Sequence, residues 1–284
     1  IWTRGSPESG LFVNASASPS ALARGENLSV GGAVGNRSLI QSTNWTVNTT
    51  AAVASQRLYS NCQNVVRLDN GSFRMFCNYE TTAIPLTNRH GVDSALSQDG
   101  VRWVWESGVR FERCAGGYAL YSLAVVRLLD GSLRMYYGGR DPLVLPCGGQ
   151  TTHTSSAVST DEGLTWTPET DVLSNFAVTS PNVQAVVPTP GGELRMYLQS
   201  DSGLASALST DGDAWSFEST VTASDPRAVY LLADGSFKMY SGMTSVSSQT
   251  SPDGLTWNAS QLELPSWSGD IRAGPLIDRG NGSL

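Results

Sequence analysis

Hydrophobic and polar positions along the chain form one pattern that occurs four times. An apolar run, a glycine turn and an alternating strand occur at 65–76, 125–137, 186–197 and 229–240. Each unit continues through a run of small residues into a second turn, which reads SQDGVRW (97–103), STDEGLTW (159–166), STDGDAW (209–215) or SPDGLTW (251–257). Continuous apolar runs are typical of strands buried on both faces, and alternating runs of half-buried strands. The pattern therefore predicts four units of four short strands.

Units of this kind bury their apolar faces only against neighbours, so the repeat predicts an all-β propeller of four-stranded antiparallel blades. The propeller is expected to span 31–284, with blades at about 61–106, 118–169, 182–219 and 225–260. We expect five blades, because 269–284 together with the N-terminal segment 37–50 resembles one more unit that N-terminal strands would close. Residues 1–30 would form a glycosylated extension. A sixth blade is the alternative, since 6–16 resembles 251–260.

Charge and composition narrow the possible partners. The net charge of −7 disfavours nucleic acid, because nucleic-acid binding needs a basic surface. No apolar run is long enough to cross a membrane, so we expect no membrane span. The two histidines have no cysteine or carboxylate partners at ligand spacing, so we expect no metal and no other cofactor.

Sequons and cysteines indicate a secreted, extracellular or cell-surface glycoprotein. The glycosylation candidates are Asn14, Asn27, Asn36, Asn44, Asn48, Asn70, Asn258 and Asn281. The four cysteines allow three connectivities. We prefer the disulfides Cys62–Cys77 and Cys114–Cys147, because each pair flanks one Asx-Gly turn.

The second turns resemble the Asp-box (BNR, bacterial neuraminidase) repeat, S-x-D-x-G-x-x-W with loose spacing. STDEGLTW fits it best, and the other three turns lack one spacing residue. The Asp-box residues are Asp99, Trp103, Asp161, Trp166, Asp211, Trp215, Asp253 and Trp257. The strand after each first turn also resembles the repeats of sialidase-like and five-bladed glycosidase-like propellers. The resemblance implies a propeller with structural turns on its rim. Its members include sialidases, other glycoside hydrolases, lectin-like proteins and structural propellers, so it does not determine an activity.

The same resemblance places a site around the axis, where the inner strand of each blade begins. The ligand-binding candidates are Asn61, Gln63, Tyr121, Asn182, Gln184, Arg140, Trp105 and Trp267. Glycoside hydrolysis needs two carboxylates that flank the scissile bond. The weak catalytic candidates are Asp225, Arg227, Asp270 and Arg272, because only blades four and five bring charge to these positions. We expect recurring arginines to form scaffold salt bridges, either with the Asp-box acids or with Glu106, Glu169 and Glu218. These arginines are Arg67, Arg74, Arg127, Arg134 and Arg195.

Amides, hydroxyls and phenols outnumber acids at the expected axial positions. We therefore interpret the chain as a secreted, N-glycosylated, non-catalytic Asp-box propeller with a structural, assembly or glycan-binding role. Its partner would be a glycan or a second copy of the chain, joined by strand donation into a filament. The alternative is an exo-acting glycoside hydrolase, sialidase-like or five-bladed glycosidase-like, with an axial active site.

Overall fold

The computed structural model describes residues 2–3, 10–11, 14–17, 45–48, 52–53, 58–81, 89–100, 102–113, 120–140, 152–171, 173, 182–200, 203–223, 226–232, 234–242, 245–264 and 271–272. The strands are β1 (Trp2–Thr3), β2 (Gly10–Leu11), β3 (Asn14–Ala17), β4 (Trp45–Asn48), β5 (Ala52–Val53), β6 (Leu58–Arg67), β7 (Phe73–Thr81), β8 (Arg89–Ser97), β9 (Val104–Trp105), β10 (Phe111–Arg113), β11 (Leu120–Arg127), β12 (Leu133–Arg140), β13 (Thr152–Ser159), β14 (Thr167–Asp171), β15 (Asn182–Pro188), β16 (Leu194–Ser200), β17 (Gly203–Ser209), β18 (Ser216–Thr220), β19 (Pro226–Leu231), β20 (Phe237–Ser241), β21 (Val246–Ser251), β22 (Gln261–Leu264) and β23 (Ile271–Arg272). Among these residues there is no helix that is long and apolar enough to cross a membrane.

The strands form four antiparallel blades, which confirms the predicted all-β propeller architecture. Blade one has the order β6-β7-β8-β10, and β9 also pairs with β8. Blades two, three and four are β11-β12-β13-β14, β15-β16-β17-β18 and β19-β20-β21-β22. The inner strands β6, β11, β15 and β19 lie side by side from one blade to the next. Each blade is therefore a simple meander that runs outward from the axis.

The expectation of five or six blades needs correction, because the described residues form four four-stranded blades. The ends of the chain contribute only short pairs. β23 pairs with β1, β5 with β2, and β4 with β3. The predicted composite blade is not formed among the described residues, because β4, which contains Trp45, pairs with β3 and not with the C-terminal β23. The proposed limits of the N-terminal extension remain predictions.

Apolar clusters fill the spaces between consecutive blades. Each space contains a fully buried methionine from the second strand of the later blade, namely Met135, Met196 or Met239. Phe76 and Val92 of blade one meet Leu123 of blade two in the first of these clusters. Full burial of one such side chain contributes roughly 1.5–3 kcal/mol, so these contacts hold the blades together.

A second repeated feature links the strands within each blade. In blade three, Arg195 donates hydrogen bonds of 2.8 and 2.6 Å to Glu218, and Ser206 donates one of 3.0 Å. The corresponding clusters are Arg74, Ser94 and Glu106 in blade one, Arg134, Ser156 and Glu169 in blade two, and Lys238, Ser248 and Glu263 in blade four. The expected scaffold salt bridges are therefore confirmed for Arg74, Arg134 and Arg195, with the glutamates as partners. In blades two, three and four each cluster joins the second, third and fourth strands through charge-assisted hydrogen bonds, and in blade one Glu106 directly follows β9.

The turns at 97–103, 159–166, 209–215 and 251–257 share one geometry, and we call them the rim turns. In each, a glycine N–H donates to the oxygen of the first serine at 2.8 Å. That serine hydroxyl donates in turn to the aspartate. The glycine φ angles lie between 70° and 84°, in the left-handed region that favours glycine. The turn sequence thus satisfies its own backbone.

Each rim turn from blade two onward is held by the blade before it. The Tyr136 hydroxyl donates to the Gly212 carbonyl at 2.6 Å, and the Tyr197 hydroxyl to the Gly254 carbonyl at 2.8 Å. Burial raises the pKa of both tyrosines, so both hydroxyls keep the proton that they donate. Arg195 also donates to the Asp253 carbonyl. Hydrogen bonds therefore connect consecutive blades at the rim.

Candidate functional site

A β-bulge occurs near the start of every inner strand. The register shifts at Tyr121 in blade two, at Gln184 in blade three and at Arg227 in blade four. In blade one the register shifts twice: at Ser60, and again where Cys62 and Gln63 lie between the pairs Asn61↔Asn78 and Asn64↔Phe76, so that two residues oppose one. A bulge re-aims a side chain and is common next to active sites. Four of the candidate positions named from the sequence thus lie at bulges.

We call this region the axial end and define it as residues 61–64, 120–123, 182–185 and 226–228. The third strand of each blade runs parallel to the inner strand, because each is antiparallel to the second strand. The rim turns follow the third strands and therefore lie at the opposite end of each blade. Inner strands border the central channel of a propeller, so the axial end surrounds one mouth of that channel.

The bulge in blade three turns Gln184 away from both neighbouring apolar clusters. Val183 packs between blades two and three, whereas Ala185 packs between blades three and four. In a regular strand these two residues would lie on one face, so Gln184 is the extra residue between them. Gln184 is only 8% exposed, and its side chain makes no hydrogen bond to the described residues. The inner edge of the strand, which borders the channel, is the remaining direction for this amide.

Two further amides, Asn182 of the axial end and Asn78 opposite Asn61, have buried oxygens without a partner among the described residues. The Oδ1 atom of Asn182 lies against Gly138 and Ser122 of blade two, in space that a side chain at position 138 would fill. The Oδ1 atom of Asn78 is likewise unpaired, although its amide nitrogen donates to the Leu120 carbonyl at 3.3 Å. Buried polar groups are normally hydrogen-bonded, so such exceptions call for an explanation.

Asn64, another amide residue of the axial end, has a structural role. Asn64 donates to the Leu123 carbonyl at 2.9 Å and accepts from the Val125 amide at 3.0 Å. It therefore ties the inner strands of blades one and two together. The disulfide between Cys62 and Cys77 lies beside it and joins β6 to β7 across the bulge.

Charge is sparse at the axial end. Its described residues contain no carboxylate, and Arg227 is their one cation. The arginines nearer the other end are paired, as Arg127 is with Glu162 at 2.8 Å. Asp93 is buried but lies on β8 opposite Cys77, in the third strand of blade one. An acid pair at the axial end must therefore come from outside these residues.

The remaining candidates are distributed as follows. Asn61 and Gln63 lie in β6, Tyr121 in β11, Arg140 in β12 and Arg272 in β23. Asp225, Asp270 and Trp267, with Cys114 and Cys147, lie outside the described residues. Trp105 packs against the cluster around the disulfide, away from the inner edge of blade one. No group of three or more His, Cys, Asp or Glu side chains that could hold a metal ion occurs in the described part of the chain.

Two sequons have described side chains. Asn70 lies in an exposed turn, where its oxygen accepts from the Ser72 amide at 2.9 Å. Asn258 is exposed next to β21 and donates to the Thr250 hydroxyl at 3.0 Å. Asn14 and Asn48 pair in β3 and β4, and Asn27, Asn36, Asn44 and Asn281 lie outside the described residues.

Sequence reasoning did not select Asn78 or Gly138 for the axial end. Both occupy the same position of the repeat, late in the second strand, where the other blades have Gln199 and Gly242. The sequence signal for this position is that blades one and three have an amide residue where blades two and four have glycine. Its meaning depends on a contact with Asn182 in the next blade, which the sequence does not show.

Comparison with known proteins supports the fold. No protein-family model matches the sequence, and no curated protein matches it. Among solved structures, a family 117 glycoside hydrolase of Zobellia galactanivorans is similar at 13% identity, with 70% of this chain and 68% of that chain covered and a TM-score of 0.53. A putative glycosidase from Bacteroides thetaiotaomicron has 13% identity, covers 74% and 75%, and gives a TM-score of 0.53. A protein of unknown function from Dyadobacter fermentans has 16% identity, covers 72% and 69%, and gives a TM-score of 0.50. The structural neighbours of this four-bladed propeller thus include glycoside hydrolases.

Proposed function

We propose that the protein binds a glycan at the axial end and hydrolyses its terminal sugar, as an exo-acting glycoside hydrolase. The observation that carries the proposal is the bulge at the start of each inner strand, together with buried amides that lack partners among the described residues. Polar groups that converge on a concave site are what a sugar needs for orientation. The glycosidase folds among the structural neighbours make hydrolysis the reaction to test first.

The proposed chemistry needs one protonated and one ionised carboxyl group on either side of the glycosidic bond. Asp225 directly precedes β19, and Asp270 directly precedes β23. Asp225 therefore stands where the inner strand of blade four begins, whereas Asp270 stands before the terminal strand β23, which pairs with β1. Arg227 and Arg272 follow the two aspartates by two residues. We assign the acid and the base or nucleophile to Asp225 and Asp270, with the arginines as neighbours that would favour an ionised carboxylate.

A second candidate is a non-catalytic glycan-binding propeller. The observation that favours it is the lack of any carboxylate among the described residues of the axial end. Amides can bind sugar hydroxyls without catalysing hydrolysis. The Asp-box geometry of the rim turns is compatible with either candidate, because the rim turns lie at the other end of the blades.

A turnover screen on the purified protein separates the two candidates. Fluorogenic arabinosides, xylosides, galactosides and sialosides would be tested with the wild type, Asp225→Asn and Asp270→Asn. Asp234→Asn is the matched control, because Asp234 is an exposed turn residue of the same blade that bonds only Ser236 among the described residues. We expect turnover that falls about 10²–10⁴-fold in the two test variants and is unchanged in the control. Binding of these glycosides without turnover would establish the second candidate, and neither binding nor turnover would refute both.

Secretion, N-glycosylation and self-association remain proposals. The sequons and the Cys62–Cys77 disulfide favour an oxidising compartment. Enzymatic removal of N-glycans from the native protein would lower its mass if they are attached. Light scattering across a concentration series would detect strand-donated filaments, and a constant mass of one chain would exclude them.

A further inference from the structure

We infer that Gln184 is a ligand-binding residue of the axial end, and that its amide bonds two neighbouring hydroxyl groups of a sugar ring. This inference rests on the proposed function and adds a residue and a mode of recognition to it. It starts from the bulge at Gln184, which lies between the pairs Val183↔Leu198 and Ala185↔Tyr197.

Its hydrogen bonding sets this amide apart from that of the equally buried Gln249. Gln184 and Gln249 are each 8% exposed. Gln249 donates to the Asn258 carbonyl at 2.8 Å, whereas Gln184 makes no side-chain hydrogen bond to the described residues. The Gln184 amide is not fully enclosed, so its donors and its acceptor can be reached from the channel. A ligand that supplies both a donor and an acceptor would use all of these groups.

The chemistry of the amide selects that ligand. A primary amide offers two N–H donors and an oxygen with two lone pairs. Adjacent ring hydroxyls can donate to the oxygen and accept from the N–H group at once, so a vicinal diol satisfies both sides. A carboxylate can only accept, and it would leave the amide oxygen unpaired. The match is therefore to the uncharged hydroxyl pair of a sugar rather than to an acidic group.

The location of Asn182 supports the same assignment. It lies two residues before Gln184 on β15, and its buried Oδ1 also lacks a partner among the described residues. Both amides belong to the start of one inner strand, and Gly138 of blade two leaves room for the Asn182 side chain. Asn182 therefore anchors the start of β15 against blade two, which would fix the position of Gln184.

The test compares Gln184→Met with Gln249→Met, two replacements of equally buried glutamines by an apolar side chain of similar length. Binding of arabinose, xylose, galactose and N-acetylneuraminic acid would be measured by calorimetry, and the Tm by thermal unfolding without ligand. We expect Gln184→Met to leave the Tm unchanged or to raise it. Sugar binding should weaken by about tenfold or more, because the variant loses one or more hydrogen bonds to the sugar. Gln249→Met should lower the Tm by about 2–4 °C and leave sugar binding unchanged.

Each of the other outcomes refutes either the role of Gln184 or the proposed function. Wild-type binding that Gln184→Met retains would overturn the role of Gln184 and leave the proposed function standing. Failure of the wild type to bind or turn over any of the sugars would overturn the proposed function and this inference with it. A Tm that falls in Gln184→Met as it does in Gln249→Met would show that the amide is bonded within the protein. If Gln184→Met does not fold, Gln184→Ala replaces it, and a position that tolerates neither change is structural.

Discussion

The rim turns and the axial end are built from the same repeat but satisfy their polar groups differently. At the rim, serine, aspartate, glycine and tryptophan recur in every blade, and their bonds recur with them. At the axial end a bulge recurs in every blade, but its residue is Gln63, Gln184 or Arg227 at one position of the repeat and Tyr121, two residues earlier, in blade two. Positions that repeat with their contacts hold the blades together. Positions that keep the backbone geometry but change the side chain are the ones available for binding a ligand.

The largest effect on stability should come from the repeated ion clusters. Arg195 is buried and bonds Glu218, whose side chain is 16% exposed, as well as the Asp253 carbonyl. Arg195→Met would leave Glu218 without its cation, so we expect a loss of about 3–5 kcal/mol in the free energy of unfolding. Urea unfolding followed by tryptophan fluorescence measures it.

A matched control and a double variant sharpen this result. Arg102 is 90% exposed and pairs with Asp99 at 3.3 Å, so Arg102→Met should change stability by no more than about 0.5 kcal/mol. Arg195→Met combined with Glu218→Leu should be less harmful than Arg195→Met alone. If the two arginine variants lose equal stability, the ion clusters do not have the scaffold role given to them here.

The disulfide brings covalent stabilisation to the axial end, whereas the rim turns are held by non-covalent contacts. Cys62 and Cys77 are separated by 15 residues, and loop closure of that length is worth about 3 kcal/mol. Cys62→Ala with Cys77→Ala should lower the free energy of unfolding by about that amount, as measured in urea. Treatment of the wild type with a reductant should reproduce the change, and the double variant should not respond to the reductant. An unchanged urea midpoint would mean that the bulge in blade one needs no such constraint.

Comparing Gly163, in a rim turn, with Gly131, in the first turn of blade two, separates the cost of a strained φ angle from the cost of a steric overlap. Gly163 and Gly131 have φ angles of 84° and 88°, so alanine is strained equally at both. A Cβ atom at Gly163 would overlap the Phe76 ring of blade one, whereas one at Gly131 has no neighbour within 4 Å. We expect Gly163→Ala to lose about 1–3 kcal/mol more than Gly131→Ala in urea unfolding. Equal losses would contradict a tight contact between this rim turn and the preceding blade.

Much of the scaffold could be predicted from the sequence, because its signals are local. The Asx-Gly turns, the serine and aspartate of the rim turns and the alternation of the strands all lie within single units. The number of blades could not be predicted in this way, because closure of a ring joins distant segments. The bulges were also missed, since the apolar pattern is nearly the same with or without one extra residue. Gln184 was found as a polar residue in an apolar run, but its isolation from both clusters emerged only from the packing of Val183 and Ala185.

The smallest effect concerns acid stability at the rim. Hydrogen bonds from the backbone amides of Thr256 and Leu255 lower the pKa of Asp253 to about 2, from about 4 in an unfolded chain. Since the folded pKa is the lower one, the ionised carboxylate stabilises the fold above about pH 4, and this contribution is lost as the pH falls towards about 2. Asp253→Asn removes the ionisation, so its Tm should decrease less than that of the wild type between these two pH values.

Asp161→Asn tests whether the effect belongs to the rim turn or to one residue. Although burial opposes ionisation, hydrogen bonds from the side chain and backbone of Thr165 also lower the pKa of Asp161 to about 2. The two variants should therefore lose acid sensitivity alike, because the repeat gives both aspartates the same environment. Thermal unfolding at several pH values measures the difference. An acid response as steep as that of the wild type in both variants would locate the acid sensitivity outside the rim turns and weaken the contrast between the two ends of the blades.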